Sequence, residues 1–302
     1  MQAIHSFKNL TDHLAALGRR FRIAVVCGSD ASTCGAALRA VKEGFADVYF
    51  VGDCAAIQAM PGVAEAGEQF VHYVEATTHE EAARCAVTMV HEGMADVLMK
   101  GLIHTETLLR AVLNKEWGIL PKGQLLTHIA VCQLPTYDKL LFFSDAAVIP
   151  YPTHEQRAEQ VRYMAEMLHA FGIEEPRIAL LHCAETVNDK FPHTLGYREL
   201  CERARQGEWG KLIVDGPLDL RTSCDPVALH VKGIDSPIEG HADGLIVPDI
   251  ESGNILYKCI TLFGGARVAG TLKGPKAPVI LSSRGDDEEA KFHSIALATM
   301  GC

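Results

Sequence analysis

Short β-branched runs that close on glycine alternate with amphipathic stretches along most of this chain. That alternation restricts the fold more than any other feature. Leu10, Leu14, Leu17 and Phe21 recur at helical spacing. RIAVVC (22–27) then reads as a buried strand closed by Gly28, and the helical stretch after it stops at Gly44. DVYFV (47–51) and DVLM (96–99) read as strands, with helices over 79–93 and 105–115. An internal echo fixes the phasing. KEGFADVYFVG (42–52) and HEGMADVLMKG (91–101) share a helix end, a Gly stop, Ala-Asp, a buried strand and a closing Gly. EWGKLIVDG (208–216) and HADGLIVPD (241–249) are looser versions of the same α-to-β joint. Strands that alternate with helices imply parallel βαβ units and an α/β fold.

One segment breaks the alternation. In LTHIAVCQLPTYDKLLFFSDAA (126–147) two apolar runs flank Pro135-Thr136-Tyr137-Asp138, which leaves no room for a helix and predicts an antiparallel hairpin. Beyond it the pattern predicts a long helix over 153–171, strands over 177–183, 211–216 and 243–249, a helix near 194–207 and another from Ser252. ARVAGTL, PVIL and a terminal helix follow. Leu120-Pro121-Lys122-Gly123 marks a domain change, and a return crossing falls near Gly270 to Pro275. The expected domains are 1–120 plus 273–302, and 121–272 with the hairpin.

The 302 residues carry a formal charge of -10, which argues against non-specific nucleic-acid binding but leaves room for a local basic cleft. None of the ten Cys forms a CxxC pair, so neither a zinc site nor a disulfide framework is expected, and buried free thiols in a reducing compartment are. No apolar run reaches ~18 residues and no signal peptide is visible, so a cytoplasmic protein without membrane contact is expected.

Ligands of parallel sheets lie beyond the carboxyl ends of the strands. The residues there are Gly28-Ser29-Asp30, Gly52-Asp53, Lys100-Gly101, Asp145, His182, Asp215-Gly216-Pro217, Pro248-Asp249 and Ser282-Ser283-Arg284-Gly285. Surface turns account for many of them individually. Taken together, Lys100-Gly101 and Ser283-Arg284-Gly285 point to an anion. In KGLIHTETLLR (100–110) a Gly turn leads into a helix whose first turn holds Thr105, Glu106 and Thr107, a natural anion site, with Arg110 one turn on. A plain helix with Arg110 in a surface ion pair accounts for the same residues. In SSRGDDEEAK (282–291) the acids suit the positive end of the last helix. In DGLIVPDIESGNILYK (243–258) Asn254 suits either a helix cap or a donor to a ligand. GxxxxGK[ST], GxGxxG and HExxH are all absent.

KGLIHTETLLRAVLNKE, DAAVIPYPTHEQRAEQ, KLIVDGPLDL, SPIEGHADGLIVPDIESGNILYK and KAPVILSSRGD resemble the phosphate acetyltransferase/phosphate butyryltransferase family over nearly the whole chain, closest to the butyryl branch. The resemblance implies two three-layer α/β domains with a cleft between them, like the isocitrate/isopropylmalate dehydrogenases, and a homodimer. It implies the reaction acyl-CoA plus inorganic phosphate giving acyl phosphate plus CoA, by direct transfer in a ternary complex. CoA would be a substrate, with no cofactor and no metal. Ser283 and Arg284 match the family's catalytic Ser-Arg pair, and Arg110 its phosphate-binding Arg, beside the candidate phosphate-binding residues Lys100, Gly101 and Thr105. Asp249, Gly253 and Asn254 are the candidate CoA- and acyl-binding residues. Where the acetyl branch has an acid seven positions after the Ser, this chain has Ala290; Glu289, Asp287 and Asp286 are its acidic neighbours. Two other readings stay open: a metal- and NAD-dependent hydroxy-acid dehydrogenase of the same fold using Asp215, Asp219 and Asp249, and a non-catalytic acyl-CoA-binding protein.

Overall fold

The computed structural model describes residues 3–67, 69–283 and 285–302. In chain order the strands are β1 (Phe21–Val26), β2 (Ala46–Gly52), β3 (Val71–Glu75), β4 (Val97–Lys100), β5 (Thr127–Gln133), β6 (Leu140–Ser144), β7 (Arg177–Leu181), β8 (Ile213–Leu218), β9 (Gly244–Ile246), β10 (Arg267–Lys273) and β11 (Val279–Ile280). The helices are α1 (Phe7–Ala16), α2 (Ala31–Lys42), α3 (Cys54–Gln58), α4 (His79–His91), α5 (Thr105–Val112), α6 (His154–Ala170), α7 (Tyr197–Arg205), α8 (Leu220–Cys224), α9 (Pro226–Val231), α10 (Ile250–Leu262) and α11 (Glu288–Thr299). These elements gather into two compact units. The first is Phe7–Leu126 with Arg267–Cys302; the second is Thr127–Ala266 with residues 3–6. The start of the chain joins the second unit because Ile4 N–H donates to Phe171 O at the end of α6 (2.9 Å).

In the first unit the strands run β3-β2-β1-β4-β11-β10. All neighbours are parallel except β10, which is antiparallel to β11. β4 is buried at every position and β1 at all but one, so both faces of these central strands are covered. α2 and α1 pack against α11, and α4 packs against α5. The buried Lys291 ammonium ties α11 to the start of α2. It reaches Asp30 Oδ1 (3.2 Å), Ser32 Oγ (2.7 Å) and Thr33 Oγ1 (3.0 Å). The repeated joint has a local cause. α2 and α4 each end just before a glycine in the left-handed region, Gly44 (φ 88) and Gly93 (φ 74), where a side chain would be strained. In both, the glycine N–H bonds back to Val41 O or Val90 O.

The second unit has the order β5-β6-β9-β7-β8. β5 and β6 form the antiparallel hairpin, with Ala130 opposite Phe143 and Gln133 opposite Leu140; the other pairs are parallel. The mixed α/β class therefore stands. Several boundaries differ from the sequence reading. α1 stops at Ala16, leaves Leu17 exposed, and Phe21 opens β1 instead of closing a helix turn. α5 ends at Val112, because the Asn114 carboxamide accepts from Glu116 N and Trp117 N and turns the chain. The helix expected near 194–207 splits into a 3-10 turn at Pro192–Thr194 and α7. α10 opens at Ile250 because Asp249 caps it. All ten cysteines are unpaired, as expected; Cys27, Cys34, Cys132 and Cys201 are buried, but Cys183, Cys259 and Cys302 are exposed, which corrects the expectation of burial for those three.

Candidate active site

Sheet order decides where a site can form in the first unit. From β1 the chain builds β2 and β3 on one side, then crosses to place β4 and β11 on the other. That reversal is the kind of switch point at which open α/β sheets bind ligands. β4 and β11 run side by side, with Val279 opposite Leu98 and Ile280 opposite Met99. Their register brings the two segments singled out from the sequence together at one end. Ser282 Oγ donates to Lys100 O (3.2 Å), and Lys100 Nζ lies 3.4 Å from both Ser282 O and Gly101 O. Lys100 is buried, 3 % exposed. A charge so placed needs oxygen partners, and these two carbonyls face it.

Gly101 makes the joint possible. Its N–H donates to Val26 O (2.8 Å), and a Cβ there would lie 2.4 Å from Cys27 O. The chain then enters α5 through His104, which takes the N-cap position without a side-chain cap bond. The first-turn N–H groups, at the positive end of the helix, are thus not taken by a cap. A concavity of about 620 Å³ opens here. Lys100 forms one wall, His104, Thr105, Glu106 and Arg110 another, and Ser282 and Ser283 a third. The Arg110 guanidinium is mostly exposed and donates to Glu106 one turn back (2.7 Å), the ion pair weighed from the sequence, yet it also lines the concavity. Ser283 is exposed. Its N–H donates to Asp286 Oδ2 (2.7 Å), and its Oγ accepts from Gly285 N–H (3.3 Å). Accepting that bond leaves the hydroxyl hydrogen for donation. Arg284 lies outside the described residues.

Ala290 sits in the first turn of α11, where its N–H donates to the capping Asp287 (2.8 Å) and its carbonyl accepts from Ser294 Oγ (2.8 Å). Of its acidic neighbours, Asp286 holds the Ser283 amide, Asp287 caps, and Glu289 pairs with Arg267 at 3.7 Å. The Cys27 thiol under the β1 end is pushed up to about 11 by burial, so it stays protonated at neutral pH.

The candidate CoA- and acyl-binding residues belong to the second unit, and each has a local task there. Asp249 accepts from Ser252 N (2.8 Å) and Ser252 Oγ (2.7 Å) as the cap of α10. Gly253 lets α10 approach the β6 end, since a Cβ would lie 2.2 Å from Asp145 O. Asn254 is not the cap; its carboxamide donates to Ala146 O (3.3 Å). Behind them lies a residue the sequence reading passed over. Arg157 on α6 is buried and donates to Pro152 O (3.2 Å), Val247 O (3.4 Å) and Pro248 O (2.9 Å), fixing the turn that carries Asp249. Burial lowers its pKa. Asp145 is likewise buried and accepts from Thr127 Oγ1, His128 N, Ala147 N and Val148 N. Nothing in the spacing of an EQRAEQ helix marks Arg157 as buried.

Asp215, Asp219 and Asp249, weighed as dehydrogenase metal ligands, are committed separately. Asp215 accepts from Ser236 (2.5 Å), Asp219 caps α8 and pairs with Lys232, and Asp249 caps α10. Among the described residues no group of three or more His, Cys, Asp or Glu could hold a metal ion. No helix among them is long and apolar enough to cross a membrane.

Fold and site together define an α/β protein with a concavity between a helix N-terminus and a Ser-rich strand end. Residues 69–299 match the family model described as phosphate acetyl/butaryl transferase. The chain is 37% identical over 279 residues to a phosphate butyryltransferase of Clostridium acetobutylicum, covering 92% of each. It is 39% identical over 221 residues to a phosphate acetyltransferase of Thermotoga maritima, covering 73% of this chain and 75% of that one. Its fold matches the crystal structure of a branched-chain phosphotransacylase from Enterococcus faecalis with a TM-score of 0.81, at 34% identity, covering 93% of this chain and 98% of that one. The chain belongs to the phosphate acetyl/butaryl transferase family, and as such is a phosphate acyltransferase.

Proposed function

We propose that the protein moves a short acyl group, butyryl or acetyl, between CoA and inorganic phosphate by direct transfer in a ternary complex, with CoA as a substrate and no cofactor or metal. The observation that carries this reading is the Lys100–Ser282 joint, which sets a buried ammonium, Arg110 and Ser283 around one concavity. In thioester synthesis the CoA sulfur attacks the acyl phosphate carbonyl. Lys100, Arg110 and Arg284 hold the phosphate and offset the charge of the leaving group, with Gly101 and Thr105 supplying the turn and helix start beneath it. The Ser283 O–H donates to the oxyanion; losing one such donor typically costs about 3 kcal/mol of transition-state stabilisation. Direct transfer is favoured because positioning alone supplies much of the barrier reduction. Asp249, Gly253 and Asn254 are assigned to the CoA and acyl end. Their spacing on α10, packed onto the β6 end, supports that assignment.

The reading extends to the architecture and the setting. The two units are taken as three-layer domains of the isocitrate/isopropylmalate dehydrogenase type, the helices grouped about the first unit's central strands being in keeping with three layers. A homodimer is supported by the apolar exposed face of α10, and a cytoplasmic location by ten unpaired thiols.

The test measures CoA release from acetyl-, propionyl-, butyryl- and isobutyryl-CoA, each with phosphate or arsenate. Arg110→Ala is expected to raise the phosphate KM at least tenfold, the loss of one charge-assisted pair at about 1.5–3 kcal/mol. Unchanged phosphate saturation in that variant would remove Arg110 from the site. Exchange of labelled phosphate into acyl phosphate in the complete absence of CoA would overturn direct transfer.

A further inference from the structure

Thioester synthesis from a thiol needs a proton acceptor, because the thiolate is the nucleophile and an unperturbed thiol ionises near about 8.5. The acids beside Ala290 do not supply one at the concavity. Asp286, Asp287 and Glu289 are held by Ser283 N–H, Ala290 N–H and Arg267, and none of the three is among its lining residues. Its titratable wall consists of Lys100 from β4 and His104, Glu106 and Arg110 from the α5 segment, facing Ser282 and Ser283 from the β11–α11 turn. Lys100 and Arg110 are cations and serve as donors. Glu106 is the bound partner of Arg110. His104 is the one imidazole on this wall among the described residues, and imidazole is the side chain that exchanges protons most readily near neutral pH. Its place is set by the backbone. It occupies the N-cap position in extended conformation (φ -65, ψ 135), where Ser, Thr, Asp or Asn would cap the helix, and it makes no cap bond. His104 thus presents an imidazole to the concavity from a capping position without acting as the cap.

We propose that His104 is the general base of the transfer, a role that rests on the phosphate–CoA reading above. As the CoA sulfur bonds to the acyl carbon, the S–H proton passes to a His104 ring nitrogen. The bond from that carbon to the phosphate oxygen then breaks, and phosphate leaves with the electron pair. In reverse, a phosphate oxygen attacks the thioester carbonyl, the carbon–sulfur bond breaks, and the imidazolium returns its proton to the CoA sulfur. Forward rate therefore falls as pH drops and protonates the imidazole. The charged groups that share the concavity with His104 are Lys100, Glu106 and Arg110.

The test follows thioester formation from acetyl phosphate or butyryl phosphate and CoA by the full-length chain across pH. His104→Gln is expected to lower kcat by about 10²–10⁴-fold and to abolish the acidic limb of kcat/KM, with the KM for acyl phosphate little changed. Free imidazole should restore part of the rate to His104→Ala, which a merely structural role would not allow. Glu106→Gln should keep the acidic limb. A wild-type rate and acidic limb in His104→Gln, or loss of the limb in Glu106→Gln instead, overturns the assignment. A wild-type protein that forms no thioester fails the transfer reading itself, a result distinct from either.

Discussion

His293 on α11 is buried, stacks on Phe7 at 4.1 Å with an interplanar angle of 8°, and its Nδ1 has no hydrogen-bond partner among the described residues. Burial, reinforced by Arg39 and Arg267, holds its pKa down at about 4, so the ring is neutral in the fold. An unfolded chain protonates the same ring near about 6.5. Between those values the unfolded state binds the proton and the native state does not, so stability falls as pH drops from about 6.5 towards 4. The loss from this site reaches about 3 kcal/mol at the lower end. His193, lowered to about 4 chiefly by burial, adds in the same direction in the second unit. Denaturant midpoints taken from pH 7.5 to 4.5 should decline. His293→Phe keeps the stack but removes the proton, so its decline should be shallower. Equal slopes for the two proteins would show that His293 takes up its proton in the folded state as readily as in the unfolded one.

Among the elements, the β4–α5 joint carries the most candidate site residues in the shortest stretch. Gly101→Ala would set a methyl 2.4 Å from Cys27 O and 2.7 Å from Val26 O, both backbone atoms that cannot swing aside. An overpacked site of this kind costs about 1–3 kcal/mol, here accompanied by displacement of Lys100 and the α5 start. A lower urea midpoint together with a raised phosphate KM is expected; a stability loss with normal phosphate saturation would separate the joint from the site. Much of this was legible from sequence, since Gly-closed apolar runs and the repeated Ala-Asp joint gave β1, β2, β4 and their helices. β3 was not, because VHYVE puts a His and a Glu into a run of only five residues with no Gly stop after it. Lys100 and Ser283 were each visible as strand-end residues. That they line one concavity depends on β11 pairing beside β4, which joins Lys100 and Ser282 across 182 residues of chain and which no local pattern encodes. His104 and Arg157 escaped notice for a related reason. One sits where a cap residue belongs, the other in a charged helix, and only the packed structure shows a cavity beside the first and buried carbonyls around the second.

For the whole molecule, the formal charge of -10 coexists with two cations, Lys100 and Arg110, gathered at one concavity. The surface feature that most needs an explanation is apolar. α10 carries the IESGNILYKCITL run, yet Gly253 is its buried residue, while Ile255 is 62 % exposed and Leu262 73 %, and the adjoining Phe263 is 81 % exposed. Burying a side chain of this size contributes roughly 1.5–3 kcal/mol, so covering these three would be favourable, in keeping with the proposed homodimer. In that homodimer a two-fold contact would set the same residues of two copies against each other, doubling each gain. Light scattering on the purified protein should give twice the chain mass at micromolar concentration. The double variant Leu262→Asp, Phe263→Asp should give the chain mass with an unchanged circular dichroism spectrum, because neither side chain is part of the core. A wild-type protein at the chain mass, or a double variant still at twice that mass, would mean that α10 does not hold two copies together.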